Sequence, residues 1–403
     1  MTREYPPYVY GGAGVHVEYL SRELAKTIEV EVHCWGDQLS DQGNLHVRGA
    51  EPWSEITNGT QEKFKTALET FSLNLAQMTS ISAIDIVHTH TWYVAMAGFL
   101  AKKLYRIPFV LTTHSLEPLR AWKAEQLGNG YAMSSWMERT AILDADAVIA
   151  VSQGTRADIL RAYPEIDSER IHVIYNGIDL NEYQKTPETR ALTEYGVDPS
   201  QPYVLFVGRI TRQKGVTHLV DAIPHLPPHT QVVLCAGAPD TPEIAAEMRE
   251  KVERVRAINP RVIWIEKMLS KPEAIQFYSN CSVFCCPSVY EPFGIINLEA
   301  MACRAPVVAS ATGGILEVVV DGVTGYLVPF EQDPGTSFPL HPEEFSRALA
   351  AKVSALLADP ATARSFGEAG RRRVEEKFSW AAIAEQTVRL YRELIASRKE
   401  EGR

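Results

Sequence analysis

At 403 residues the chain is longer than one ordinary hydrophobic core serves, and its length fits two or three domains. A hydrophobic share of 45% is that of a globular protein. The formal charge of -10 argues against a nucleic-acid binder, while leaving room for a local basic pocket that takes a phosphorylated ligand. No apolar run reaches the ~20 residues of a membrane span, and the opening "MTREYPPYVYGG" has no signal-peptide core, so a cytoplasmic protein is expected. The six cysteines (34, 235, 281, 285, 286 and 303) form no CxxC pair. They read as small buried hydrophobes in a reducing compartment rather than a metal or redox centre.

Short β-branched runs alternate with helix-length segments along the whole chain. In the first half they are "VEVHCW" (30–35), "IDIVH" (84–88), "PFVLTT" (108–113), "DAVIAVS" (146–152) and "IHVIYNG" (171–177). In the second half they are "YVLFVG" (203–208), "QVVLCAG" (231–237), "VIWIE" (262–266), "SVFCCPS" (282–288), "PVVAS" (306–310) and "GYLVP" (325–329). The alternation predicts parallel sheets with helices on both faces, hence strands apolar on consecutive positions. The polar stretch "NEYQKTPETRALTEYGVDPSQP" (181–202) separates the halves. The reading is two doubly wound domains, with ligands at the carboxyl ends of the strands. Residues 378–396 form a final amphipathic helix. One feature departs from this pattern: only "MTREYPPYVY" precedes Gly11, where an apolar strand would be expected to lead into a glycine loop.

Taken in chain order, the candidate chemistry begins at "YGGAGVHVEYLSREL" (10–24). There Gly11 and Gly12 precede a helix whose N-terminus could approach a phosphate, although a plain glycine turn fits as well. It is not GxGxxG, and a dinucleotide site ranks low. His88 and His90 stand near the end of one strand and His114 near the end of the next. An HxH pair invites a metal, but no third ligand at useful spacing stands out. In "FVGRITRQKG" a strand ends at Gly208, and Arg209 and Lys214 follow it into a turn, a pairing that suits a diphosphate. Arg212 reads as surface. In "PSVYEPFGIINLEAMAC" Glu291 precedes a helix start and Glu299 stands eight positions on, turned through roughly 80° beyond two helical turns. The two carboxylates could line one side of a pocket, with the free amides of Gly294, Ile295 and Ile296 beside them. "TGG" (312–314) adds a second flexible loop.

"GRITRQKG", "PSVYEPFGIINLEAMAC" and "ATGGILEVVVDGVTGYLV" together resemble the retaining GT-B glycosyltransferases of family 4, whose nucleotide-sugar signature is the E-x7-E spacing of Glu291 and Glu299. "TREYPPYVYGGAGVHVEYL" and "LCAGAPDTPEIAAEM" narrow the likeness to the actinobacterial-type glycogen synthases, a group that includes α-maltose-1-phosphate synthases. The resemblance runs from residue 2 to about residue 393, broken mainly at 329–344. It implies an α/β GT-B fold, two Rossmann-like domains facing across a cleft. Residues 1–183 would form the acceptor side, with a helix at about 380–396 crossing back onto it, and 184–379 the nucleotide-sugar side.

By the same resemblance Arg209 and Lys214 would bind the nucleotide diphosphate and Glu299 the ribose. Glu291 would stand by the donor sugar with the amides of Gly294 to Ile296, and His114 near the anomeric centre. Gly11–Gly12 would approach the phosphates or the acceptor, and Met268 the adenine. The implied reaction moves glucose from ADP-glucose to an α-1,4-glucan or to glucose 1-phosphate, with retention and without a metal, no Asp-x-Asp cation site being evident. A related enzyme using UDP-glucose or GDP-mannose on a small acceptor is the alternative. One departure is Tyr10, where larger bacterial glycogen synthases carry lysine.

Overall fold

The computed structural model describes residues 1–9, 11–59, 62–81, 83–120, 130–333 and 335–401. The chain divides into two compact units, Met1–Gly177 with Trp380–Arg403, and Ile178–Ser379. The first junction lies a little before the 183/184 boundary expected from the sequence. Among the described residues no helix is long and apolar enough to cross a membrane.

In the first unit β1 (Val30–Trp35), β2 (Leu39–Gln42) and β3 (Leu45–Ala50) form one sheet in the order β1-β3-β2. A second sheet runs β4 (Val87–His90), β5 (Phe109–Thr113), β6 (Ala147–Ala150), β7 (Ile171–Val173), all parallel. Residues Met1–Arg3 stand between the two sheets. Thr2 N–H donates to the His33 carbonyl at 2.9 Å on the β1 side. On the β4 side the Met1 amino group donates to the His88 carbonyl at 2.7 Å, and His90 N–H to the Met1 carbonyl at 3.1 Å. This short segment links both sheets ahead of the helix Gly12–Leu24.

Two sequence expectations need correction here. β2 runs antiparallel to β3, so the sheets are not purely parallel. This hairpin was not foreseen because β2 is an exposed edge strand with the polar text "LSDQ", lacking the apolar run that signals a buried strand. β4 begins at Val87 rather than at residue 84, pairing Val87 with Phe109. His88 therefore lies inside the strand and His90 is its last residue.

Phe109, Val110 and Leu111 of β5 are at most 1% exposed, because helices cover both faces of this sheet. The C-terminal helix Trp380–Glu401 belongs to this unit. Its Trp380 ring stacks on Tyr19 of the helix Gly12–Leu24 at 5.8 Å.

The second unit carries one six-stranded parallel sheet. Its strands are β8 (Tyr203–Arg209), β9 (Gln231–Gly237), β10 (Val262–Ile265), β11 (Val283–Cys286), β12 (Val307–Ser310) and β13 (Gly325–Val328), in the order β10-β9-β8-β11-β12-β13. β8 and β9 stay in register from Tyr203↔Gln231 to Arg209↔Gly237. Phe206 and Phe284 are fully buried; each such side chain contributes about 1.5–3 kcal/mol of transfer free energy. The winding direction reverses between β8 and β11, which opens a crevice at the carboxyl ends of those two strands.

Candidate active site

In the second unit the reversal point is where the charged residues gather. β8 ends at Arg209, and the turn after it carries Lys214. β11 ends at Cys286, and the loop after it carries Glu291 ahead of the helix Ile295–Ala302, which Gly294 caps. The two loops are strapped together. Val289 N–H donates to the Gln213 carbonyl at 2.9 Å. Gly215, at φ +59°, approaches so closely that a Cβ there would stand 2.2 Å from the Pro287 oxygen. The "TGG" loop braces the same segment. Gly314 N–H donates to the Glu291 carbonyl at 2.9 Å, and a Cβ on Gly313 (φ +50°) would lie 2.1 Å from that oxygen.

Within this frame Lys214 Nζ donates to Glu291 Oε2 at 2.6 Å, and Ser288 Oγ donates to the same oxygen at 3.1 Å. The ion pair is largely buried, with 17% and 8% of the two side chains exposed. Arg209 Nη1 donates to Asp240 Oδ1 at 2.9 Å. Arg212 turns aside to Glu247 at 2.6 Å, as befits a surface residue. Glu299 accepts from the hydroxyls of Tyr183 and Tyr278, both at 2.9 Å. Burial pushes its carboxyl up, while these two hydroxyls and then the charges of Lys271 and Lys214 draw it back.

The two glutamates eight apart thus have different surroundings, Glu291 ionic and Glu299 phenolic, and Lys214 acts on both. Gly294, Ile295 and Ile296 open the helix, where first-turn amides have no intrahelical acceptor. Met268 follows β10, half exposed, with its backbone nitrogen against Gly237 at the carboxyl end of β9. Two cations, a helix N-terminus and exposed backbone gather at one sheet end, groups whose chemistry suits a diphosphate.

In the first unit Gly11 N–H donates to Glu4 Oε2 at 2.7 Å, so the protein's own carboxylate sits at the glycine turn. Tyr10 lies outside the described residues. His114, just past β5, is joined through Nε2 to His90 Nδ1 at 3.1 Å. His16 Nδ1 meets Asn176 Oδ1 at 2.6 Å. An amide oxygen only accepts, so His16 carries its proton on Nδ1; its buried Nε2 has no partner among the described residues. His88 bonds Tyr391 OH at 2.6 Å and Thr112 Oγ1 at 2.7 Å.

The HxH pair therefore does have further imidazoles near it. Nitrogens of His16, His90 and His114 lie within 4.8 Å of one another, a spacing built by tertiary structure and invisible along the chain. An Asp-x-Asp also occurs, at 144–146, contrary to the sequence reading. It stands at the amino end of β6, with Asp146 held by Lys102 at 2.8 Å and by Phe109 N–H at 2.8 Å, and Asp144 held by Lys103 at 2.5 Å. It is a structural tie, at the opposite end of the sheet from His90 and His114.

Burial drives all four imidazoles toward the neutral form. His16 is lowered to about 4, and His88, His90 and His114 fall well below the usual 6.5. The unfolded chain binds these protons near pH 6.5 and the folded one does not, so their contribution is complete above about pH 6.5 and is lost as pH falls through it toward 4 and below. For His16 alone the shift corresponds to about 3 kcal/mol. Amide protection factors in the β4–β5 region, taken against the intrinsic exchange rate at each pH, should fall between pH 6 and 4 (a range of about two units). Unchanged protection there would refute a neutral cluster.

Residues 10–182 match the family Glycosyltransferase Family 4, and residues 189–373 match Glycosyl transferases group 1. The alpha-maltose-1-phosphate synthase of Mycolicibacterium smegmatis is 50% identical over 399 residues, covering 98% of this chain and 99% of that protein. The chain belongs to the family-4 glycosyltransferases. The alpha-maltose-1-phosphate synthase of Mycobacterium tuberculosis is likewise 50% identical, with the same coverage. Among solved structures, the sucrose-phosphate synthase of Thermosynechococcus elongatus superposes with a TM-score of 0.77 at 27% identity, over 98% of this chain and 96% of that one. This family-4 enzyme is accordingly a glycosyltransferase with two Rossmann-like GT-B domains.

Several residues that build its site were not singled out from sequence. Asp240 and Ser288 orient Arg209 and Glu291. Tyr183 and Tyr278 hold Glu299, from 116 and 21 positions away. Glu4 and His16 flank the glycine turn, and a charged or imidazole residue beside "YGGAG" was the one signal available. Tyr278→Phe removes one of two hydroxyl donors from a buried carboxylate. It is expected to cost about 1–3 kcal/mol in urea denaturation and to raise the Glu299 pKa further. An unchanged midpoint would mean that Glu299 does not depend on this bond.

Proposed function

We propose that the enzyme is a retaining α-glucosyltransferase that moves glucose from ADP-glucose, without a metal, to the 4-hydroxyl of α-glucose 1-phosphate or of an α-1,4-glucan end. The observation that carries this reading is the likeness over nearly the whole chain to enzymes named for maltose 1-phosphate. The charged cluster at the end of β8 and β11 supports it. Arg209 and Lys214, with the amides of Gly294, Ile295 and Ile296, would receive the diphosphate. Glu299 would hold the ribose through the lone pairs its tyrosines leave free, and the backbone at Met268 would border the adenine. Glu291 would stand beside the glucose, His114 near its anomeric carbon, and Gly11–Gly12 beside the phosphates or acceptor. Six free, buried cysteines fit a cytoplasmic setting.

The acceptor hydroxyl attacks C1 from the face the diphosphate leaves. The bond from C1 to the β-phosphate oxygen breaks, the bond from C1 to the acceptor oxygen forms, and the hydroxyl proton passes to the departing phosphate. Charge accumulates on that phosphate, so fixed cations and a helix N-terminus supply the main stabilisation. Glu291 as a covalent nucleophile is disfavoured, because a double displacement needs a carboxylate on the face opposite the departing diphosphate.

The test is product analysis from ADP-glucose and α-glucose 1-phosphate with no glucan present. ADP and maltose 1-phosphate are expected in equal amounts. No ADP release with either glucose 1-phosphate or glycogen would reject the reading.

A further inference from the structure

The imidazoles of the first unit have a geometry that sugar transfer alone does not call for. His90 closes β4 and pairs with Thr112 of β5, so His114, two residues on, faces the same side of the sheet. His16 reaches them from the helix after the glycine turn, its ring centre 4.7 Å from that of His114 and 5.3 Å from that of His90. One nitrogen of each ring lies within 4.8 Å of the others. His90 Nδ1 and His114 Nε2 are 3.1 Å apart. Two nitrogens on one tetrahedral zinc, at bonds of about 2.0–2.1 Å, stand about 3.3 Å apart.

Two further observations point to a ligand. His16 is 2% exposed, and its Nε2 has no hydrogen-bond partner among the described residues, where a buried ring nitrogen is normally satisfied. That nitrogen carries a lone pair, because the ring proton sits on Nδ1 and goes to Asn176 Oδ1 at 2.6 Å. A fixed outer acceptor of this kind is what orients a metal-ligating histidine. His88 is no candidate, since Tyr391 and Thr112 occupy both its nitrogens. Burial keeps the other three rings neutral, the form that ligates. The proton shared by His90 and His114 has only to move to the far nitrogen of its ring, which frees both lone pairs with no net proton released. Among the described residues no carboxylate or thiol joins the cluster, so its chemistry selects a zinc-class transition cation over magnesium or calcium. Water would complete the shell on the side of His114, the one partly exposed ring of the three.

We propose that His16, His90 and His114 bind one zinc-class divalent cation, and that the bound cation inhibits glucosyl transfer by holding His114. The inhibition rests on the role given to His114 above; the metal site does not.

The experiment is titration of the metal-free full chain with Zn2+ against a chromophoric chelator, followed by X-ray absorption at the zinc edge. One equivalent should bind, with three imidazole nitrogens at about 2.0 Å. His16→Gln and His90→Gln should each weaken it by at least about tenfold, the smallest loss expected when even an outer partner of a zinc ligand is removed. His46→Gln, which removes an exposed imidazole beside Asp41 and Glu29, should leave zinc affinity unchanged. No binding up to about 100 μM Zn2+, sulfur in the shell, fewer than three imidazoles, or a loss of affinity confined to His46→Gln would overturn the site. If a His16 or His90 variant unfolds, the ligand shell of the wild type decides alone. With one equivalent bound and no free zinc, glucosyl transfer should fall by at least about tenfold and recover on adding chelator; an unchanged rate would overturn the inhibition. If zinc binds through three imidazoles yet the metal-free enzyme never releases ADP from ADP-glucose, the site stands and the assignment of the reaction falls.

Discussion

Lys214→Ala is expected to lower kcat for glucosyl transfer by about a hundred- to a thousandfold, the range seen when one preorganised group is taken from a developing charge. Lys214 stands at the proposed diphosphate with its ammonium 2.6 Å from Glu291 and little of it exposed. The same substitution leaves Glu291 buried without its counter-ion. That costs roughly 3–5 kcal/mol where no relaxation occurs, and less if the carboxyl takes up a proton. Activity and stability therefore need separate measurement. Steady-state kinetics at saturating ADP-glucose read the first, and urea denaturation with and without ADP reads the second. A kcat within about threefold of the parent, in a folded variant, would remove Lys214 from the leaving group's environment. Lys214→Arg makes the comparison sharper, because it keeps the charge and changes the shape from a point to a fork.

How much of this was written in the chain depends on the range of the interaction. The six strands of the second unit were legible because each is a short apolar run buried on both faces, and "SVFCCPS" or "QVVLCAG" can hardly be anything else. Arg209, Lys214, Glu291 and Glu299 were legible because they stand within a few residues of a strand end or helix start. What was not legible is what crosses the fold. Tyr183 bonds Glu299 across 116 positions, and Asn176 bonds His16 across 160. Neither partner has a local signature.

The first unit shows the same limit in strand pairing. The segment Met1–Arg3 has no apolar run to mark it. It nevertheless donates and accepts between β1 and β4, because backbone groups pair without regard to side-chain type. The histidines illustrate a third case. His88, His90, His114 and His16 are unremarkable singly, and their neutral state follows only from being buried together.

Glu291 separates an electrostatic role from a structural one more cleanly than any other residue in the site. Glu291→Ala is expected to abolish detectable turnover while leaving the fold intact, since Ser288, the Glu291 backbone and the "TGG" brace remain. Glu291→Gln is the informative partner. It keeps the shape and the Ser288 contact but removes the charge that holds Lys214. The released ammonium is then free to bind diphosphate, so ADP should bind a few-fold more tightly, by about 1 kcal/mol or less, while kcat falls by at least about a hundredfold. Tighter product with slower chemistry is the signature of a group that tunes a cation and stands by the reacting sugar. A purely structural residue would weaken ADP and lower kcat together, as its loops loosened. ADP affinity measured by calorimetry alongside kcat therefore decides between the two. Parallel loss in both variants would leave Glu291 as a strut for Lys214 and give the reacting sugar to other neighbours, His114 first among them.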